Sequence, residues 1–503
     1  MKQRFLAHIL VLSAVLSCWF PADGLKAEVL ITEFLAQNTS GLSDQDGEAS
    51  DWIELHNPGG VPLDLDGYGL SDDGDEPMQW VFPPLILPPG AYLVVFASGK
   101  DRRDPAQELH ANFALRAEGE YLGLASPAGA TIQAYTPGFP PQLPDIAYGT
   151  PHGATASAYL DPPTPGLENA AEGFVGKLEK VSFSHPRGYY SRPIPLRLDT
   201  DDAEAQIFYT TDGSPPTPLA SRLYHEAIWI YETSVIRARA IRDGYIPGTL
   251  VTQSYLVAGD VKHQPNMSQV VVHDPATAGM TEELQALPVM SLAMKDADFF
   301  GPDGIYEKFS ARGIDAEVPV SIEYFDPSDS EDRFHVDGGI RIHGAQARIH
   351  EKKPLRLYFR SAYGTGRLNH PLFEGSPVQS FDQLLLRGGG HDAWTTDWGF
   401  GRNDLTETAS YLRDQFLREA ETDMGILSPR GKFVQLFING AYHGLYNLQE
   451  RVDETFYADH EGGTPEDWDV IAAGGSVASG NGDEWGELQG LAEEGIADAR
   501  AYA

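Results

Sequence analysis

The chain has 503 residues, with 36 basic against 73 acidic side chains and a formal net charge of −37. Such a surface repels phosphate backbones and anionic membranes, which excludes nucleic acid as a partner and leaves solubility or cation recruitment as the meaning of the charge. A hydrophobic content of 42%, with 11% of the chain aromatic, excludes disorder; at roughly 100–200 residues per domain the length gives three or four domains, and 52 glycines with 36 prolines favour short strands joined by tight turns.

Lys2 and Arg4 precede an apolar run from Phe5 to Phe20, followed by the small residues Ala22, Gly24 and Ala27. A basic start, an apolar stretch and a small-residue zone read as a signal peptide over residues 1–27. The alternatives are an uncleaved anchor and lipoprotein processing at Ser17-Cys18, which Leu16 and Trp19 fit poorly. The expected location is extracytoplasmic: secreted, periplasmic or cell surface. No later segment is long and apolar enough to span a bilayer. The single cysteine, Cys18, lies inside the leader, so the mature chain has no disulfide and no cysteine-based metal site.

Residues 28–170 alternate short apolar runs with turn residues. Val29-Leu30-Ile31-Thr32-Glu33-Phe34 and Asp51-Trp52-Ile53-Glu54-Leu55-His56-Asn57 are strands, the latter ended by Pro58-Gly59-Gly60. Trp80-Val81-Phe82, Ala91 to Phe96 and Tyr121 to Leu124 follow. Short strands at this spacing predict a β-sandwich. Asp64, Asp66, Asp72, Asp73, Asp75 and Glu76 crowd the glycines Gly67 and Gly74, which suits either turns or a Ca²⁺ site. With the opening Ile31-Thr32-Glu33-Phe34, Leu65-Asp66-Gly67-Tyr68-Gly69-Leu70-Ser71-Asp72 and the closing Thr164-Pro165-Gly166-Leu167-Glu168-Asn169, the segment resembles the lamin-tail domain. That resemblance implies an immunoglobulin-like fold used for adhesion or spacing.

Residues 174–258 hold a second small sandwich. Ile207-Phe208-Tyr209-Thr210-Thr211-Asp212-Gly213-Ser214-Pro215-Pro216-Thr217 is a strand running into a turn that prolines terminate. Ser234 to Ile241 alternates apolar and basic residues, the pattern of a half-exposed strand. Both runs resemble the C-terminal module of the chitobiase/β-hexosaminidase family, again immunoglobulin-like. No paired acids accompany it, so glycoside hydrolysis is not inferred; glycan binding or a spacer role remain.

Residues 285–503 carry the chemistry. Strands are expected at Leu287 to Leu292, Val318 to Phe325, Gly339 to Gly344, Leu355 to Phe359 and Leu384 to Arg387. Tyr411 to Glu421 has helical spacing, with Leu412, Phe416 and Leu417 on one side. Phe433 to Leu448 is a hairpin about Asn439-Gly440, and a helix starts near Glu450. A twisted antiparallel sheet with a helix beside it suits a nucleotide: Gly344 sits where backbone N–H groups approach phosphates, and a lysine follows on the next strand. Taken alone, a glycine loop and a Lys-Lys pair equally describe a turn and a solvated edge.

The motif order resembles the CotH family of secreted, spore-coat-type atypical kinases. The matching runs are Gly339 to Gly344, Lys352-Lys353-Pro354-Leu355-Arg356-Leu357-Tyr358-Phe359, Phe381 to Arg387, Leu412-Arg413-Asp414, Asp423-Met424-Gly425 and Phe437 through Asp453. The resemblance implies an α+β kinase-like domain that phosphorylates Ser or Thr of extracytoplasmic proteins with ATP and Mg²⁺ or Mn²⁺. It implies Lys353 as the ATP-phosphate lysine with Lys352 as second choice, Gly344, Arg341 and Arg348 around the phosphates, and Glu450 orienting the lysine. Glu450 and Asp453 also suit a helix start, and Asp414 beside Arg413 suits an ion pair. The family's catalytic and metal-binding aspartates are expected beyond residue 503, since Asp467-Trp468-Asp469 and Asp483-Glu484-Trp485 do not match their motifs; the domain is therefore read as incomplete and no metal ligand is assigned. The expected architecture is two all-β sandwiches followed by this kinase-like part. The alternative is a non-catalytic surface or matrix adhesion protein, with glycans as partners and a kinase-like scaffold.

Overall fold

A computed structural model describes residues 29–393, 409–472 and 475–494; the leader at residues 1–27 lies outside the described residues. The chain divides into two compact units, Met1–Leu178 with Arg242–Pro247 and Glu179–Ile241 with Gly248–Ala503.

In the first unit, strands Leu30–Leu35 and Trp52–His56 lie at the middle of a six-stranded sheet, and Leu122–Ala125 and Gly69–Ser71 at the middle of a four-stranded one. Ile31, Phe34, Ile53 and Leu55 of the first sheet and Leu70, Trp80, Leu122 and Leu124 of the second share one core. The opposite face places Glu33 and Glu54 side by side in register, both buried. The closing Thr-Pro-Gly motif satisfies them. Thr164 donates its N–H and hydroxyl to Glu33, at 3.0 Å each, and the Gly166 N–H donates to Glu54 at 2.6 Å. Asn169 then donates to the carbonyls of Thr32 and Thr150, at 2.9 Å each. Motifs more than a hundred residues apart are thus halves of one hydrogen-bonded lock. Burial pushes the Glu33 carboxyl up to about 6 and that of Glu54 up to about 7.

In the second unit, Gln206–Thr210, Ser234–Ile241 and Val251–Leu256 form the middle of a five-stranded sheet. The expected half-exposed alternation at Ser234–Ile241 is not what forms: Arg237 is buried, donating to Thr252 Oγ1 and to the Gly213 carbonyl. The reason is that this sheet is covered by the next module. Arg187 pairs with the buried Glu323 at 3.0 Å, Ser254 donates to Glu323 at 2.5 Å, and Ser321 donates to Thr252 at 2.8 Å.

That module is a closed seven-stranded barrel: β1 (Val289–Ala293), β2 (Val318–Asp326), β3 (Asp329–Ile342), β4 (Leu355–Tyr358), β5 (Gln383–Arg387), β6 (Gly431–Ile438) and β7 (Ala441–Glu450). Neighbours run β1-β2-β3-β4-β5-β7-β6. The ring shuts because β1 pairs parallel with β6, Val289 opposite Gln435 through Leu292 opposite Ile438; the twisted antiparallel sheet expected from sequence is corrected by this one parallel pair, which closes it into a barrel. Alternation fixes the two faces. Ile340, Ile342, Leu355, Leu357, Leu384, Leu386, Leu436 and Leu448 fill the interior, which leaves Arg341, Arg356, Leu385, Arg387, Asn447 and Gln449 on the outside. The Asn439-Gly440 turn has positive φ at both residues, 48° and 81°, the two-residue hairpin geometry its sequence demands.

Helix α1 (Arg413–Asp423) lies on this outer face. Its apolar side stays in solvent, with Phe416 67% exposed and Leu412 and Leu417 similar. The barrel surface beneath is polar, so the helix docks by its polar edge: Arg418 donates to Asn447 Oδ1 and the Pro429 carbonyl, and Gln415 donates to the Gly431 carbonyl. Helix α2 (Glu454–Glu461) is capped by Asp453, which accepts the Phe456 N–H.

Candidate functional site

The two lysines of Lys352-Lys353 point to different places. Lys353 is buried and its ammonium is spent inside the protein, donating to the carbonyls of Arg348 at 2.8 Å and His350 at 3.1 Å and lying over the rings of Tyr306 and Phe309. Lys352 instead lines a half-open, mostly apolar cavity of about 510 Å³, with Tyr411, Phe433, His443 and Leu445 among its walls. Its ammonium donates to the Leu445 carbonyl and sits 4.9 Å from the ring centres of both Tyr411 and Tyr446. The stem passes directly over Gly444, φ +110°, where an added Cβ would lie 3.4 Å from Lys352 Cε, so a side chain there would narrow the path to the cavity. Burial pushes the Lys352 amine down to about 8 and the neighbouring His443 imidazole down to about 4.

A narrower recess adjoins the cavity through Tyr411, Phe433 and Leu445 and adds Arg387, Asp392 and Asp414. Neither carboxylate is free: Asp414 accepts two bonds from Arg387 and one from Arg418, and Asp392 pairs with Arg413 at 2.8 Å. The structure therefore gives Asp414 an ion pair, with Arg387 and Arg418 rather than with Arg413 beside it. Because both acids are already neutralised, the recess does not fit a divalent cation.

The remaining candidates are dispersed. Arg341 pairs with the buried Glu317 and stacks on Tyr358, 4.2 Å from its centre. Arg348 ties down its own loop through the carbonyls of Gly344, Phe309 and Ala311. Gly344 takes φ +88° at the start of that loop. Glu450 meets neither lysine; it accepts the Arg430 N–H at 2.7 Å and pairs with His460 at 2.9 Å. Sequence reasoning missed Tyr411, Phe433, His443 and Leu445 as a wall. Strand alternation about the Asn439-Gly440 turn was the signal that could have grouped Phe433 with Leu445.

In the first unit, the acidic run near Gly67 makes turns: Asp64 accepts the Asp66 N–H and Asp73 the Asp75 N–H. The carboxylates that do converge are Asp44, Asp46 and Glu48, and the Lys100 ammonium lies among them at 2.6, 2.6 and 2.9 Å, supplying the positive charge itself.

Among the described residues no helix is long and apolar enough to cross a membrane. Three stretches match known families: residues 340–491 the CotH kinase protein, residues 185–252 the chitobiase/β-hexosaminidase C-terminal domain, and residues 25–138 the lamin tail domain. No curated protein matches the chain.

Proposed function

We propose that this chain, whose residues 340–491 match the CotH kinase protein family, binds ATP at the Lys352 cavity and serves the phosphorylation of Ser or Thr on extracytoplasmic proteins. The observation that carries the reading is the Lys352 ammonium at the wall of an apolar cavity inside the matched segment. An apolar slot with aromatic walls suits a purine base, and the lysine supplies a point charge for phosphate oxygens. In the transfer, the acceptor hydroxyl oxygen bonds the γ-phosphorus, the bond to the β–γ bridging oxygen breaks, ADP leaves and the hydroxyl proton passes to a base. Mg²⁺ or Mn²⁺ would neutralise the phosphate chain when bound; the acids of the adjoining recess are occupied by arginines and would not hold it.

Equilibrium binding of ATP to the full chain tests this. Lys352→Met is expected to weaken ATP at least tenfold, and Lys353→Met to lower thermal stability while leaving the affinity of the folded fraction near wild type. Equal affinity in Lys352→Met and wild type would refute the reading.

A second reading, surface-glycan adhesion, has one observation in its favour. Trp229 and Tyr231 stand exposed on the second sandwich with rings 5.8 Å apart and 21° from parallel, a ledge on which the apolar face of a sugar ring can lie. Glycan-array binding lost in Trp229→Ala would support it; equal binding would sink it.

A further inference from the structure

We propose that the outer face of the barrel carries a separate oxyanion site, built by Arg356, Arg451 and Gln449 with His343 beside it, that takes a phosphate-type anion. The starting point is a charge anomaly. On a chain of net charge −37, one face gathers Arg341, Arg356, Arg387 and Arg451, with Arg341 directly opposite Arg356. Like charges in register are destabilising unless something answers them. Arg341 is answered by Glu317 and Arg387 by Asp414. Arg356 has neutral partners only, Gln383 Oε1 at 3.2 Å and His343 Nδ1 at 3.0 Å. Among the described residues Arg451 makes no hydrogen bond or ion pair, and its Nε is buried without a partner.

Arg356, Leu385 and Gln449 stand in register on β4, β5 and β7. With strands about 4.8 Å apart, the outer two are roughly 10 Å from each other across the Leu385 floor, a gap that long side chains close around one anion. Gln449 is only 5% exposed; its unpartnered Oε1 is an acceptor that an anion cannot satisfy, so what it offers a ligand is its amide N–H. A buried donor left unpaired costs about 1–3 kcal/mol, so the orphaned Arg451 Nε, beside an Arg356 with no counter-charge, marks a place where an anion completes the bonding. The fork of a guanidinium matches two oxygens of a phosphate, and an amide N–H supplies a further donor. The surroundings are electropositive in effect: burial and then Arg356, Arg451, Arg348 and Arg387 hold the His343 imidazole down to about 3. Two acids act directly on Arg451, and Asp382, Glu450 and Asp459 line a small recess with it. Asp453 is engaged as helix cap and by Gln383 Nε2 at 3.2 Å, with its carboxyl raised to about 6 by burial; Glu454 is the other. They reduce the positive charge without bonding to the guanidinium.

The proposal stands apart from the nucleotide reading, because none of these residues lines the Lys352 cavity. Its probe is pyrophosphate, titrated calorimetrically into the full chain at low salt. Wild type is expected to bind, Arg451→Gln and Gln449→Leu to bind at least tenfold more weakly, and Lys352→Met to bind as wild type. Arg451→Gln removes a half-buried charge that has no hydrogen-bonded partner, so its melting temperature should hold or rise, which separates lost binding from lost fold. ATP competing with pyrophosphate in wild type assigns the site to a nucleotide's phosphate chain. Simultaneous binding of both, or pyrophosphate binding without ATP binding, assigns it to a free phosphate and supports the site while the nucleotide reading stands or fails separately. Absence of pyrophosphate binding in folded wild type, or equal binding in Arg451→Gln and Gln449→Leu, overturns the proposal.

Discussion

Lys352 offers a test that needs no substrate protein. Burial in the cavity lowers its amine from 10.5 to about 8. At pH 8 about half of these amines are unprotonated, against roughly one in three hundred for a lysine of ordinary pKa. Only the free amine is acylated, so an amine-directed reagent at limiting dose should modify Lys352 on the order of a hundredfold faster than such a lysine, before any steric discount. The pH profile of labelling, read by peptide mass mapping, should have its midpoint near 8. The same shift bears on stability: between about 8 and 10.5 the folded chain binds fewer protons than the unfolded one, so stability rises with pH across that window. Bound ATP should then slow labelling at pH 8, because phosphate charge beside the amine restores the protonated form and blocks its approach. A labelling midpoint above 10, or indifference to ATP, would refute both the buried amine and its placement in a nucleotide site.

Three further outcomes are expected. Glu323→Ala leaves the Arg187 guanidinium without its counter-charge and the Ser254 hydroxyl without its acceptor, so urea melts should show a loss of about 3–5 kcal/mol, with Arg187→Met/Glu323→Leu milder than the single change. In the first unit, Glu33 and Glu54 hold protons when folded at pH values where the unfolded chain, near 4.5, has released them; stability of this unit should therefore fall as pH rises from 4.5 through 7. Glu54→Gln should recover roughly 2 kcal/mol at pH 8, after allowance for solvent screening, and little at pH 5, read by proteolytic protection of peptides from residues 29–160 in urea. Arg418→Met removes bonds to Asp414, Gln415, Pro429 and Asn447, and amides of α1 should exchange at least tenfold faster while those of β1 and β2 do not change.

Much of the fold was legible because local signals and tertiary structure agree. The Asn439-Gly440 turn, the strand runs and the helical spacing from Tyr411 to Glu421, which forms as Arg413–Asp423, follow from periods of 2 and 3.6 and from positive-φ chemistry. Barrel closure was not legible, since the parallel pairing of β1 with β6 joins segments about 140 residues apart in the chain. The burial of Arg237 was hidden for a related reason: alternation tells which residues share a face, and a face reads as solvent until another module covers it. The lysine pair shows the limit at side-chain scale. Lys352 and Lys353 differ by one position, and what separates them is which one finds backbone carbonyls of its own loop and which one finds the space above Gly444.

The second sandwich is better understood as part of the barrel than as an appendage to it. Its most distinctive turn, Thr211-Asp212-Gly213, sits where a Cβ on Gly213 would lie 2.3 Å from the Met294 carbonyl oxygen and equally close to Asn439 Oδ1. Asn439, in turn, accepts the Met294 N–H at 3.0 Å, while Gln264 donates to the Gly440 carbonyl and accepts the Tyr442 N–H. The two signature turns of the two modules are therefore pressed against each other at the tip of the β6–β7 hairpin, and each needs its glycine or asparagine for the other's sake as well as its own. This hairpin supplies Phe433, His443 and Leu445 to the Lys352 cavity. The second sandwich thus fixes the far end of the hairpin that walls the candidate site, and a substitution such as Gly213→Val would reach that wall through the hairpin tip without touching it.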